Sequence, residues 1–410
     1  MLRGAILGVG NVALNGHLPG WRERRDIEIV AAADVREEGR AALADRLPDA
    51  RSYDSVDALL AAEKLDFVDI CTPPAFHASA IRPALAAGVH VLCEKPLVLS
   101  SGELARLAAL ARERALVLAT VHNWRHAPVL LRATELVRSG AVGAVSRVRW
   151  ETLRDRPAAV SGQADNWRVD PAVAGGGILL DHGWHALYAI QQWIQGEPDR
   201  VSARLESRRD GKSDLEDTAE VALEYPDPSC HSEERSDTAC HSEERSDEES
   251  APATRESGSR SLAALGMTNG GQASAIRDGE ALGRANRGAR CEILLTWAAS
   301  ERANRVTLDG SEGTLAIDGG TLEVRSAAGE PRREVLPGSL SEGSHHPDWF
   351  RGVVEEFLGE IREPGRRGRS LAEAQRCLRW IETAYESGRR KGEGLPVTEP
   401  SIEPVFGAAS

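Results

Sequence analysis

Asp181 and His185 are the residues whose spacing best suits acid–base chemistry. They lie on a predicted amphipathic helix, Ile178–Ile194, and positions four apart on a helix share one face. A carboxylate beside an imidazole can set its tautomer and raise its basicity, which favours a general base that works near neutral pH. A capping aspartate with a histidine satisfied in the core would show the same spacing.

Lys95 is the third candidate. It precedes Pro96, which restricts the lysine to extended backbone, and it follows the predicted strand His90–Cys93. Ligands bind at the carboxyl edge of open α/β sheets. A partly desolvated ammonium at that edge can donate a hydrogen bond to a substrate hydroxyl or to a developing oxyanion. The alternative is a solvated lysine in a loop between a strand and a helix.

A Gly-x-Gly-x-x-Ala turn separates the first predicted strand from the first helix. Gly8 permits the tight turn, Gly10 lets the backbone approach a pyrophosphate, and Ala13 packs the helix against the strand. The phosphates would then face free N–H groups at a helix N-terminus. Asp34 lies 21 residues beyond Ala13, where a carboxylate can accept hydrogen bonds from ribose hydroxyls and repel a 2′-phosphate. This pattern favours NAD, while Arg36 keeps NADP open; an ordinary turn with an exposed aspartate is the alternative.

The elements that position these residues alternate between strands and helices. Apolar runs predict strands at Arg3–Leu7, Ile27–Ala33, Leu65–Cys71, His90–Cys93 and Val117–Val121. Apolar residues at helical spacing predict helices over Arg36–Leu47, Ala75–Ala87 and Ser101–Arg114. Such alternation predicts an α/β fold with a parallel sheet covered on both faces.

The second half of the chain mixes strands with two amphipathic helices. Strands are predicted at 217–225 and 291–299, which should pair as neighbours, and as hairpin strands at Val306–Ala316 and Thr321–Val324. Turns are expected at Asp309–Gly310 and Asp318–Gly320. The helices are predicted over Trp349–Ile361 and Ser370–Ser387.

Residues 226–290 differ in character from their surroundings. The segment Cys230–Asp237 repeats at Cys240–Asp247, and the remainder is rich in Ser, Ala, Gly and Arg. That composition cannot bury enough apolar surface to offset the entropy of ordering. We therefore expect a disordered, repeat-containing insertion at a hairpin tip; a metal site built from the two Cys-His pairs and a protein-binding tail are the alternatives.

Composition excludes several classes of protein. The 410 residues carry a formal net charge of −13, which argues against general nucleic-acid binding because phosphates need a cationic face. No apolar run approaches the roughly 20 residues that span a bilayer, and the first ten residues lack the features of a secretory signal. Six cysteines in this length are too sparse for a disulfide scaffold. A cytoplasmic protein of about two or three domains is expected.

Five motifs occur in an order that carries a family resemblance. They are Gly8-x-Gly10-x-x-Ala13; Cys71-Thr72-Pro73-Pro74 with His77; Glu94-Lys95-Pro96; Asn166-Trp167-Arg168; and Gly175-Gly176-Gly177-x-x-x-Asp181-x-Gly183-x-His185. Together they resemble the glucose–fructose oxidoreductase / inositol dehydrogenase / MocA (Gfo/Idh/MocA) family. The resemblance covers about residues 1–225 and resumes at 291–400.

The resemblance implies two domains and a cofactor. A Rossmann domain over 1–125 would bind NAD, with NADP possible, and an α/β domain over 126–400 would carry an open, mainly antiparallel sheet. In the family that sheet supports the substrate site and often a subunit interface, so a homo-oligomer, a dimer or a tetramer, is expected. The implied cofactor-binding residues are Gly8, Gly10, Asn11, Val12, Asp34, Thr72, Pro73, His77, Glu94, Asn123, Trp167 and Arg168.

The resemblance also implies a reaction. His185 would take the proton from a secondary alcohol of a sugar, cyclitol or related polyol while hydride leaves the same carbon for the nicotinamide. Asp181 would orient His185, and Lys95 would polarise the oxygen. Two other functions stay open: a catalytically silent dinucleotide-binding sensor or assembly protein, and a family member that uses NAD transiently for elimination or glycoside cleavage.

No metal is expected. His122 and His126 are four apart and His182 and His185 are three apart, both usable ligand spacings. However, no cysteine or acidic cluster joins the first pair, and the family pattern already accounts for His185. The His345-His346 pair is expected in a solvated loop that could reach the cleft.

Overall fold

A computed structural model describes residues 1–158, 166–209, 215–226, 288–326, 329–343 and 345–397. The body of the predicted insertion, 227–287, and its repeat lie outside the described residues.

The described chain forms two sheets with helices around them. The strands are β1 Leu2–Leu7, β2 Ile27–Ala33, β3 Arg51–Tyr53, β4 Phe67–Ile70, β5 His90–Cys93, β6 Leu118–Thr120, β7 Val145–Leu153, β8 Arg200–Glu206, β9 Thr218–Glu224, β10 Arg290–Thr296, β11 Ala303–Gly310, β12 Gly313–Asp318, β13 Thr321–Ser326 and β14 Arg332–Val335. The α-helices are α1 Leu18–Arg22, α2 Glu37–Arg46, α3 Val56–Ala62, α4 His77–Ala86, α5 Ser101–Glu113, α6 Pro128–Arg138, α7 Pro171–Ala174, α8 Trp184–Ile190, α9 Pro347–Arg362 and α10 Arg369–Arg389. Two π-helical stretches, Val12–His17 and Leu179–Gly183, lead directly into α1 and α8.

The first sheet has six parallel strands in the order β3-β2-β1-β4-β5-β6. Its central strands are apolar on both faces, as a doubly covered parallel sheet requires. Ser100 begins α5 because its hydroxyl accepts a hydrogen bond from the N–H of Glu103 at 3.3 Å, a normal N-cap. The predicted α/β fold with a Rossmann sheet is confirmed.

The second sheet has eight strands in the order β14-β13-β12-β11-β7-β10-β9-β8. Strands β7 and β10 pair in parallel, and the other described neighbours pair antiparallel. The predicted neighbours on either side of the insertion, β9 and β10, do pair, with Leu223 opposite Cys291. The first hairpin turn lies at Ser311–Glu312 rather than at Asp309–Gly310, since Gly310 pairs with Gly313.

Two C-terminal helices return to the first sheet. Helix α9 buries Phe350, Val354 and Phe357 in a cluster with Trp21 and Phe67 of the Rossmann half. Helix α10 packs on β8 and also contacts α5 and β6. Helix α10 thus contacts strands of both sheets.

The outer face of the second sheet is charged in the part of the chain that the structure describes. Arg147 pairs with Glu292, Arg149 with Asp309, and Arg290 with Glu224. This is not the exposed apolar face that would support a subunit interface, and the oligomeric state stays a prediction. Among the described helices, none combines the length and the apolar character needed to cross a membrane.

Candidate active site

The glycine turn after β1 has the geometry of a phosphate cradle. Gly8 has a φ of 86°, and a Cβ at that position would lie 2.8 Å from Thr72, so only glycine fits. A Cβ on Gly10 would meet nothing within 4 Å, which leaves its backbone open to a ligand. Ala13 is 1% exposed and packs the following helix on the sheet. These residues fit the pyrophosphate of a dinucleotide.

Asp34 closes this turn at the end of β2. Its Oδ2 accepts a hydrogen bond from the N–H of Val9 at 2.7 Å, and its Oδ1 accepts one from the N–H of Arg36 at 2.8 Å. The Arg36 guanidinium lies 3.1 Å from Oδ2. The carboxylate therefore braces the glycine turn as well as occupying the position predicted to face a ribose, and Arg36 is held beside it.

Lys95 and Asp181 meet across the two halves of the molecule. Lys95 Nζ donates to Asp181 Oδ1 at 2.7 Å and to the backbone oxygen of Asp181 at 2.8 Å. Burial alone would raise the pKa of Asp181, but Lys95 with His182 and Arg168 lowers it well below its usual value. Asp181 is therefore a carboxylate, and Lys95 keeps one N–H for another partner.

His185 is oriented by a different residue from the one expected. Its Nδ1 lies 2.7 Å from Tyr188 Oη, and this oxygen also accepts the N–H of Trp124 at 3.0 Å. The imidazole stacks on Trp124 with ring centroids 4.5 Å apart. Its Nε2 has no hydrogen-bond partner among the described residues. The expectation that Asp181 orients His185 is corrected here, because Asp181 bonds Lys95 and the orienting contact comes from Tyr188.

Burial and the neighbouring Lys95 and His182 lower the pKa of His185 well below its usual value. The imidazole is therefore neutral near pH 7 and can accept a proton. Burial also raises the pKa of Tyr188 well above its usual value, so its hydroxyl stays protonated.

A buried charged network that the sequence analysis missed lies behind Lys95. His17 Nδ1 is 2.9 Å from Asp69, and its Nε2 is 3.0 Å from Glu94. Trp21 Nε1 also donates to Asp69, at 2.6 Å. Burial opposes the charge of His17, but Asp69 and Cys71 raise its pKa well above the usual value. The other Glu94 oxygen accepts the backbone N–H of Lys95 at 2.9 Å, so the network fixes the backbone that carries the lysine.

His17, Asp69 and Cys71 also bring ligand atoms within 4.8 Å of one another, a donor set that could hold a metal. Both imidazole nitrogens already face carboxylates, however, and burial raises the pKa of Cys71 to about 12. A protonated imidazole and a neutral thiol suit hydrogen bonding rather than metal ligation.

Two adjoining hollows form the cleft. Val12, Glu94, Lys95, Arg168 and Asp181 line both of them. The first also has Thr72 and Trp167 in its wall, and the second has Asn123 and His185. His345 and His346 line the second hollow as well, so this pair does reach the cleft.

Six of the predicted cofactor residues do not line these hollows: Gly8 and Gly10 of the glycine turn, Asn11, Asp34, Pro73 and His77. His77 is fully buried, and its ring nitrogens contact the backbone oxygens of Pro96 and Thr72 at 2.8 and 2.7 Å. It ties together the two loops that carry Thr72 and Lys95. Pro73 is half-buried outside the cleft wall. Asn11 sits at the start of the first helix and hydrogen-bonds Asn15.

Glu216 supports the helix that carries Asp181 and His185. Its carboxylate accepts the N–H groups of Gly177 and Leu179 at 3.2 and 3.0 Å and the hydroxyl of Tyr385 at 2.7 Å. A Cβ on Gly177 would lie 2.0 Å from the Glu216 backbone oxygen, which explains a glycine there. Burial raises the pKa of Glu216 to about 7.

Two family models match the chain. One, described as an oxidoreductase family with an NAD-binding Rossmann fold, matches residues 2–122, and the Gfo/Idh/MocA C-terminal domain matches residues 130–245. The chain belongs to the Gfo/Idh/MocA oxidoreductase family. The resemblance drawn from the five motifs is confirmed.

Curated relatives include sugar dehydrogenases. The chain is 37% identical to D-xylose 1-dehydrogenase (NADP(+)) 2 of Haloferax volcanii, over 50% of this chain and 61% of that protein. It is 35% identical to D-glucoside 3-dehydrogenase of Escherichia coli, over 50% and 57%. The matches thus span about three fifths of these relatives.

Solved structures share the fold. An oxidoreductase from Agrobacterium radiobacter, in complex with NAD+, L-tartaric acid and magnesium, superposes with a TM-score of 0.72 at 20% identity, covering 97% of this chain and 98% of that one. Levoglucosan dehydrogenase, in complex with NADH and levoglucosan, gives a TM-score of 0.72 at 18% identity, covering 97% and 100%.

Proposed function

We propose that this protein is an NAD(P)-dependent dehydrogenase that acts on a secondary alcohol of a sugar, cyclitol or related polyol. The observation that carries the proposal is that Lys95 and His185 line one cleft, next to a glycine turn suited to a dinucleotide. The relatives named above as xylose and glucoside dehydrogenases support the same substrate class.

The roles of the residues follow from their contacts. A bound nicotinamide ring supplies the site that accepts or returns hydride. Lys95 Nζ, held by Asp181, uses its remaining N–H to bind the substrate oxygen and to stabilise the negative charge that develops there. His185 Nε2, neutral and unpaired, takes the proton of the same hydroxyl. Tyr188 Oη fixes the ring through Nδ1, and the His17–Glu94 contact holds the backbone of Lys95.

The cofactor proposed is NAD, with NADP as the alternative. Asp34 favours NAD because its carboxylate repels a 2′-phosphate. Arg36 lies beside it and could bind that phosphate if the pairing with Asp34 were exchanged. Thr72, Glu94, Asn123, Trp167 and Arg168 are proposed to bind the cofactor from the cleft wall.

The location proposed is the cytoplasm. Four cysteines in the described residues, Cys71, Cys93, Cys291 and Cys377, are free thiols, which suits a reducing compartment.

A panel of sugars, cyclitols and polyols with NAD and with NADP tests the proposal, read by the absorbance of the reduced nicotinamide. Formation of NADH or NADPH with at least one member is expected, and the organic product is identified by mass spectrometry. An altered product without net NADH would instead favour the transient use of NAD in elimination or glycoside cleavage. Nucleotide binding with no altered substrate would favour the silent sensor.

A further inference from the structure

Arg154 is a buried cation in the wall of the second hollow. It follows β7 directly and is 2% exposed. Its terminal nitrogens donate to the backbone oxygens of Leu153 and Ala303, at 2.7 and 2.9 Å, and to Asn304 Oδ1 at 3.2 Å. Its Nε is buried without a hydrogen-bond partner, and no carboxylate of the described residues forms an ion pair with it. Buried guanidinium groups are normally paired with an anion.

Arg302, which is exposed, brings a second cation to the same hollow, and it forms no ion pair within the described residues. Its Nε donates to the backbone oxygen of Ser341 at 2.6 Å, and its NH2 donates to that of Gly343 at 2.8 Å. These carbonyls fix the guanidinium without neutralising it. Burial, and then repulsion from Arg302, lowers the pKa of Arg154 to about 10, while Asp181 opposes this shift.

The two acids in the cleft wall each form an ion pair with a different cation. Glu94 faces His17, and Asp181 faces Lys95. Arg168 lines both hollows and serves the proposed cofactor side, whereas Arg154 and Arg302 line the second hollow alone. In a chain of net charge −13, this end of the cleft is therefore locally positive. Arginine forks match the oxygens of carboxylates and phosphates.

We propose that the substrate is an anionic sugar or polyol whose carboxylate or phosphate is bound by Arg154 and Arg302 while its reacting hydroxyl meets Lys95 and His185. This inference rests on the proposed function and adds the charge of the substrate. A neutral polyol would leave the buried Arg154 cation without a counter-ion, so the site discriminates by charge as well as by hydroxyl pattern.

Three matched pairs of compounds test the charge. They are methyl α-D-glucopyranoside with methyl α-D-glucuronopyranoside, D-glucitol with D-gluconate, and myo-inositol with inositol 1-phosphate. Binding to the NADH-saturated protein is measured by calorimetry, and oxidation with NAD is measured as kcat/KM. The variants are Arg302→Gln and Arg154→Lys, and Arg325→Gln on the exposed edge of β13 is the matched control.

We expect the acidic member of at least one pair to bind at least about tenfold more tightly than its neutral partner. Arg302→Gln should bring the ratio of acidic to neutral binding affinity close to one, and Arg154→Lys should lower it. Arg325→Gln should leave this ratio unchanged. NADH affinity should stay within about twofold in all three, since these arginines lie outside the cofactor side. A preference for inositol 1-phosphate alone would identify the anion as a phosphate, and a preference for the acids would identify a carboxylate.

Equal or weaker binding of the acidic members, or no binding by any compound, overturns the inference. An equal loss for both members of a pair in Arg302→Gln also overturns it. Oxidation of neutral sugars without a charge preference would leave the dehydrogenase proposal standing alone. Tight binding of acids without any oxidation would have the opposite meaning: the anion site would stand and the dehydrogenase proposal would fall.

Discussion

Lys95 donates two hydrogen bonds to Asp181, at 2.7 Å to the carboxylate and at 2.8 Å to the backbone oxygen. This contact joins the carboxyl end of β5 in the Rossmann sheet to the π-helical stretch Leu179–Gly183 of the second half. π-helical turns are frequent at functional sites. The pair therefore fixes the ammonium at the junction where we propose that cofactor and substrate meet.

Asp181→Asn should lower kcat by about 100-fold while the NADH Kd changes by less than about threefold. The amide removes the charge that holds Lys95 in place, whereas Gly8 and Gly10 of the turn that would bind the dinucleotide do not line the hollows that Asp181 lines. Steady-state kinetics and NADH fluorescence measure the two quantities. Asp309→Asn, on the charged outer face of the sheet, is the matched control and should change neither. A comparable loss of NADH affinity would assign Asp181 to the cofactor.

Tyr188→Phe should reduce kcat by about tenfold with little change in KM, because His185 loses the group that orients it. It should also lower stability by about 1–3 kcal/mol, since the N–H of Trp124 is left unpaired. The acid limb of the pH–rate profile should move to lower pH, as the imidazolium loses an acceptor at Nδ1. Tyr225→Phe is the control, because the buried Tyr225 hydroxyl has no hydrogen-bond partner among the described residues. A loss of stability with an unchanged kcat and pH profile would limit Tyr188 to a structural role.

Asp34→Asn should raise the ratio of NADPH to NADH affinity by about tenfold. The amide oxygen can still accept the N–H of Val9, so the glycine turn keeps its brace, but the repulsion of a 2′-phosphate disappears. Arg36, released from its ion pair, becomes available to that phosphate. Adding Arg36→Ala to this variant should reverse the gain. An unchanged affinity ratio in Asp34→Asn would contradict the position assigned to the ribose.

Glu216 should make the protein less stable as the pH rises. Its pKa of about 7 in the folded chain lies above the unfolded value, so its stabilising effect is complete below the unfolded pKa and is lost as the pH passes through 7. Between pH 5 and 8 the loss amounts to about 2–3 kcal/mol. Urea unfolding at the two pH values should show this loss relative to Glu216→Gln, in which the group does not titrate. Glu220→Gln, on the exposed side of β9, should retain the wild-type slope, and a parallel pH dependence in Glu216→Gln would contradict the assignment.

Most of the Rossmann half could be predicted because local sequence determines it. Gly8 and Gly10 indicate the turn. The apolar runs that predict β1, β2, β4 and β5 begin and end within two residues of the observed strands. Strand β3 escaped prediction because its three residues, Arg51–Tyr53, are exposed or half-buried and carry no apolar period.

The partners within the site could not be predicted, because spacing along a helix does not reveal what lies opposite. The i, i+4 spacing of Asp181 and His185 predicts that these two side chains contact each other. In the structure, however, Lys95 of the Rossmann half donates its hydrogen bond to the Asp181 carboxylate. The position of Tyr188, three residues after His185, places the two side chains on one helix face. A tyrosine on a buried helix, however, usually belongs to the hydrophobic core. Nothing in the sequence indicates the roles of His17 and Arg154, since the side chains that they bond, such as Asp69 and Asn304, are 52 and 150 residues away.

The central claim is that Lys95 and His185 act on the substrate rather than on the cofactor or the fold. It is tested most directly by measuring kcat and the NADH Kd together for Lys95→Ala and His185→Ala, with whichever compound of the panel is oxidised. Our account predicts that kcat falls by about 1,000-fold or more while the NADH Kd stays within about threefold of wild type. Equal losses of turnover and NADH affinity in both variants would contradict it.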